Sequence, residues 1–231
     1  MIAVLRDSFG EVPMSAVPKK LYTAEEYEAR ERVAEFKSEF YRGEIFPTQG
    51  PGSGPYAVAG AKFDHNRVKE NLARQIGNRL ECGPCQSLSS DMRVIIQATG
   101  LQTYPDVLIV CGTPKFVDDS RDCLLNPSVI FEVLSNSTAS YDRGAKFRNY
   151  QLIPTLMEYI LAEQDEPICE RYVRAPDGFT WLRTTVEGIG ASLTITTVDA
   201  TIPMRDIYAG VEFSEPAGPG EIGRASCRER V

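Results

Sequence analysis

No run in this 231-residue chain approaches the roughly 18 to 20 uninterrupted apolar residues that a membrane-spanning helix needs. The N-terminus also lacks a basic stretch followed by an apolar one. Both absences point to a cytosolic protein. Positive charge is in deficit, with 25 Lys and Arg against 32 Asp and Glu and a net charge of −7. That balance argues against a protein that coats nucleic acid with its whole surface, yet it permits a local basic groove, and acids that hold metal ions would add to the negative count. Histidine is reduced to His65. Six cysteines at scattered spacings fit reduced thiols better than a disulfide framework. Among them, Cys82-Gly83-Pro84-Cys85 has the form of a dithiol redox motif, but such a motif follows a strand and opens a helix, whereas this one follows a helical pattern and precedes a strand. A zinc site would need a second pair of this kind.

With 42% hydrophobic residues the chain can bury one full core of ordinary size, and a second independent domain is not expected. The densest stretch runs from Tyr104 to Tyr150. There, Pro105-Asp106 opens the run Val107-Leu108-Ile109-Val110-Cys111, and a loop leads to Ser128-Val129-Ile130-Phe131-Glu132-Val133-Leu134. Both runs are short, β-branched and bounded by turn residues, the pattern of strands covered on both faces. An ionised carboxylate inside such a run costs several kcal/mol unless it is paired, so Glu132 should be protonated, ion-paired or bound to a cation. Ser135-Asn136-Ser137-Thr138 then breaks the chain before a helical segment that carries Asp142, Arg143, Lys146, Phe147 and Tyr150.

This stretch resembles the PD-(D/E)xK nuclease superfamily, and more closely its Uma2 (DUF820) family, through Pro105, Asp106, Val107, Glu132, Val133, Leu134, Ser135, Asp142, Lys146 and Tyr150. The superfamily's lysine stands two residues after the strand glutamate, a position held here by Leu134. The resemblance implies that the lysine has moved to the following helix as Lys146. Arg143, nearer the helix start, and Arg148, on another face, are the alternative cations, and an arginine there could bind phosphate but not activate water. It also implies an α/β fold with a restriction-endonuclease-like core, a central mixed β-sheet flanked by helices, in which Val107–Cys111 lies beside Val129–Leu134. The implied activity is a metal-dependent endonuclease acting on nucleic acid, DNA in the first instance. Mg²⁺ or Mn²⁺ would sit on Asp106 and Glu132, with Glu44 as a third acid, and Lys146 would act on the attacking water. His65 lies where the family pattern carries a histidine and is a further candidate; its bland reading is a surface or capping residue. A homodimer is the implied assembly. An inactive nuclease-fold binding module, or a dithiol protein using Cys82 and Cys85, are the competing readings.

Elsewhere, residues 1–20 read as a flexible leader, 21–213 as the single domain, and 214–231 as a disordered, non-native tail. Thr23-Ala24-Glu25-Glu26 is a capping box for a helix to about Phe36. Ser38 to Phe46 reads as a hairpin around Gly43, and Pro47 to Pro55 as a loop. Val68, Leu72, Ile76 and Leu80 recur every four residues along a helix opened by Asp64-His65. Asp91 to Ile96 reads as a strand in which Arg93 could pair with Asp91, and Met157–Ala162, Ile168–Val173, Phe179–Thr185 and Leu193–Thr197 read as further strands.

Overall fold

A computed structural model describes residues 20–48 and 62–213. The expected leader, most of the Pro47–Pro55 loop and the C-terminal tail lie outside those residues. Helix α1 (Ala24–Glu31) opens with the capping box, Thr23 Oγ1 accepting from Glu26 N at 3.1 Å and Glu26 Oε2 from Thr23 N at 2.9 Å. It stops a turn short of Phe36 for want of anything to bury. Tyr27 is its only buried residue, while Val33 and Phe36 beyond it are exposed. Strands β1 (Ser38–Tyr41) and β2 (Glu44–Pro47) form a hairpin whose turn, Arg42-Gly43, takes positive φ at both positions. A two-residue turn of that kind matches the twist of the strands, and glycine adopts it without strain.

Helix α2 (Phe63–Leu80) buries the four-residue stripe Val68, Leu72, Ile76 and Leu80. Then follow β3 (Cys85–Ser89), β4 (Arg93–Ile96), β5 (Leu101–Thr103), β6 (Val107–Cys111), β7 (Cys123–Leu124) and β8 (Val129–Leu134). Next come α3 (Ala139–Tyr141), a π-helical turn over Asp142–Lys146 and α4 (Phe147–Tyr150). The chain closes with β9 (Glu158–Glu163), β10 (Ile168–Arg174), β11 (Trp181–Glu187), β12 (Ser192–Ile195), β13 (Ala200–Pro203) and α5 (Met204–Ile207). The central sheet is mixed, in the order β11-β10-β9-β8-β6-β3, with β6 antiparallel and β9 parallel to β8. A parallel step needs a crossover, and the α3–α4 segment supplies it. A second sheet runs β2-β1-β5-β4-β7.

Side chains alternate across the central sheet with the two-residue period of a strand. Val107, Ile109, Val129, Phe131 and Val133 join α2 in one core, while Leu108, Val110, Ile130 and Leu134 join Phe147, Tyr150 and Tyr159 in the other. Glu132 therefore points to the face covered by the crossover helix.

Two expectations are overturned. Cys85 and Cys111 stand opposite each other across the β3–β6 ladder and are joined by a disulfide, so the thiols are not all reduced, and Cys85 is not paired with Cys82, which is free and exposed. Arg93 does not meet Asp91: its side chain is buried and lies 3.3 Å from Asp122, while Asp91 pairs with Lys37. Residues two apart share a face only within a strand, and Asp91 lies in the turn before β4, its N–H bonded back to Ser89 O, so the pair is not formed.

Candidate active site

The antiparallel register pairs Val107 with Phe131, and continued by one residue it sets Asp106 beside Glu132 on the same face. Asp106 is anchored there by its own neighbour strand, since Oδ2 accepts the Val133 N–H at 2.8 Å. Both acids line one cleft of about 650 Å³, together with Glu39, His65, Asp142, Tyr141 and Lys146.

Lys146 reaches back from the π-helical turn. Its Nζ lies 2.8 Å from Glu132 Oε1, 3.5 Å from Asp142 Oδ1 and 3.8 Å from Glu39 Oε1. Tyr150 OH donates to the same Glu132 Oε1 at 3.0 Å. The alternative cations are directed elsewhere: Arg143 pairs with Glu163 and Glu170, and Arg148 is exposed. π-Helical turns gather at functional sites, and this one buries both Asp142 and Lys146.

Burial pushes the Glu132 carboxyl up to about 8, Lys146 pulling it down and Asp142 and Asp106 pushing it further up. Burial also raises Asp142. Burial would depress the Lys146 ammonium, but Glu132, Tyr150, Asp142 and Glu39 outweigh it and hold the group well above the usual lysine range. Lys146 and Glu132 are each other's main charge partner, so their two shifts describe one cluster, in which Glu132, Asp142 and Glu39 face one ammonium.

Glu39 and Asp142 were not assigned a role from sequence, although Asp142 falls on the matched pattern and Glu39 lies in the hairpin read around Gly43. Glu39 is held by Thr103 and Tyr141, the Tyr141 OH lying 3.1 Å from Oε2. Glu44 shares that face of the hairpin, opposite Tyr41, but sits two residues nearer the turn and is not among the cleft-lining residues. His65, on the first turn of α2, brings Nε2 to 3.5 Å from Asp106 Oδ2, and its Nδ1 is buried without a hydrogen-bond partner among the described residues.

A profile described as "Putative restriction endonuclease", that of Uma2, matches residues 24–204. The chain belongs to the Uma2 family. Among its relatives is "Uncharacterized protein sll1609" of Synechocystis sp., 38% identical over 180 residues, which cover 78% of this chain and 96% of that one. "Uncharacterized protein slr1290" of the same organism is 30% identical over 201 residues, 87% of this chain and 97% of its own. Among solved structures, a DUF820 protein from Anabaena variabilis titled a putative nuclease superposes with a TM-score of 0.63 at 13% identity, over 80% of this chain and 97% of that one. That likeness is one of fold. By family and fold this Uma2 protein is restriction-endonuclease-like, a class that generally uses divalent metals.

The donor chemistry fits such an ion, since Asp106 and Glu132 offer carboxylate oxygens, the ligands hard divalent cations take. Among the described residues no three His, Cys, Asp or Glu side chains are gathered in a ready cage. Mg²⁺ needs none, because it keeps several waters and takes one or two carboxylates.

Proposed function

We propose that this Uma2 protein is a metal-dependent endonuclease that hydrolyses phosphodiester bonds of nucleic acid, DNA in the first instance, in the cytosol. The observation that carries the reading is the meeting of Asp106, Glu132 and Lys146 in one cleft, with Lys146 Nζ 2.8 Å from Glu132. Asp106 and Glu132 would hold Mg²⁺ or Mn²⁺, with Glu39 replacing Glu44 as the supporting acid. When bound, such an ion neutralises phosphoryl oxygens and lowers the pKa of a water.

The chain's own groups do the rest. Lys146 keeps its proton in this surrounding, so it serves as a cation that orients the attacking water and balances the charge developing on the phosphoryl oxygens. Tyr150 fixes the Glu132 oxygen that Lys146 shares. His65, with Nε2 beside Asp106, is in position to orient that carboxylate. Two copies acting together would suit cleavage of both strands of a duplex, and sedimentation tests that pairing.

The deciding assay incubates the full chain with single- and double-stranded DNA and RNA in Mg²⁺, Mn²⁺ or EDTA. Cleavage should need a divalent ion, and Asp106→Asn and Lys146→Met should each abolish it at a temperature where both are folded. Cleavage in EDTA, or wild-type rates in Lys146→Met, would defeat the assignment.

A further inference from the structure

Helix α2 presents Lys62, His65, Asn66 and Lys69 to the cleft, at spacings of three, one and three residues that keep them on one face. The opposite face, Val68, Leu72 and Ile76, is sunk in the core, so this wall is rigidly placed. The floor it overlooks carries Glu39, Asp106, Glu132 and Asp142 and therefore repels a polyanion. Of the four lysines that line the cleft, Lys146 is bound to Glu132, and Lys37 is bound to Asp91 and to the Ser90 carbonyl at 2.7 Å. Among the described residues no ion pair engages Lys62 or Lys69; Lys69 acts only at longer range, on Asp91.

Lys62 is also badly placed for folding. It occupies the N-cap of α2 and gives no side-chain cap, where the helix dipole favours an anion and disfavours a cation. A cation kept at such a point, with no ion-pair partner among the described residues, is available to an anion from outside the chain.

We infer that Lys62 and Lys69 bind backbone phosphates flanking the scissile bond and so position the polynucleotide strand over Asp106 and Glu132, an inference that rests on the nuclease reading for the identity of the cleft. They are positioning residues, and their contribution is to affinity.

The test measures anisotropy of a fluorescein-labelled single-stranded DNA, and of an RNA of the same sequence, with the full chain in EDTA over a series of salt concentrations. For single strands each phosphate contact contributes about 0.7 to the slope of log affinity against log salt. Lys62→Gln and Lys69→Gln should each lower the slope by about 0.7 and the double variant by about 1.4. Lys115→Gln, off the cleft, should leave it unchanged. In cleavage assays KM should rise while kcat holds. The Tm of Lys62→Gln should stay level or rise, a sign opposite to that of its binding, which a merely structural lysine would not give.

Wild-type slopes in the two lysine variants, or a loss shared by Lys115→Gln or accompanied by a fall in Tm, would overturn the inference. If the wild type cleaves and the variants bind as it does, only the lysine assignment falls. If it binds through these lysines yet cleaves with neither Mg²⁺ nor Mn²⁺, the assignment stands and the nuclease reading falls. If it neither binds nor cleaves, both fall.

Discussion

Replacing Lys146 by methionine keeps most of the side-chain volume and deletes its charge, which isolates what the ammonium does for the fold. The side chains of Lys146 and Glu132 are 7% and 4% exposed, and Asp142, at 5%, shares the same cation. Removing one member of a buried pair leaves the other uncompensated, at a cost of about 3 to 5 kcal/mol. At the lower figure, a chain of this length should lose about 6 to 12 °C in Tm. The loss should be largest at pH 8 in EDTA, where the acids are most ionised, and should shrink towards pH 5 as they take up protons. It should also shrink when Mg²⁺ or Mn²⁺ is added, since an ion on the carboxylates replaces the missing positive charge. Thermal unfolding of wild type and variant at the two pH values, with and without metal, tests all three statements. A Lys146→Met protein melting within about 2 °C of wild type at pH 8 in EDTA would refute the argument, because exposed pairs behave that way and buried ones do not.

Glu132 yields a second expectation. Its carboxyl is raised from 4.5 to about 8 in the fold, so folding favours its protonated form and that stability is lost as pH rises from the unfolded value towards about 8. In EDTA the Tm of Glu132→Gln should therefore gain on wild type between pH 5 and pH 8, and a constant difference would show that the shift is absent. A third concerns thiols. Cys82 is exposed, whereas burial pushes the Cys123 thiol up to about 11 and the Cys169 thiol up to about 12. Mass mapping after maleimide treatment of the native, unreduced protein should find Cys82 modified and Cys85, Cys111, Cys123 and Cys169 untouched; rapid labelling of Cys123 would refute its burial.

The central sheet could be read from the sequence because β6 and β8 are dense apolar runs whose one discordant residue, Glu132, announced a partner. Lys146 was named through the family resemblance, which puts the lysine on the segment after the glutamate's strand, close along the chain to Glu132. What escaped depends on long-range register. The choice between Glu39 and Glu44 is made by the hairpin's pairing, in which the two share a face but stand at different distances from the turn. The Cys85–Cys111 bond exists because β3 and β6 align those residues, across 26 positions of chain. Likewise, the partner of Arg93 is brought by β7, which lies parallel to β4, and no local spacing marks Asp122. The end of α1 was overestimated since propensity continues past Glu31 while burial does not.

The crossover that carries Lys146 also covers the face to which Glu132 points, through Phe147 and Tyr150. The segment that takes the carboxylate out of water is therefore the segment that brings its counter-charge. Packing the crossover on the sheet delivers both at once, and lifting it off exposes the carboxylate to water in the same step that removes the ammonium, so Glu132 is not left both buried and alone.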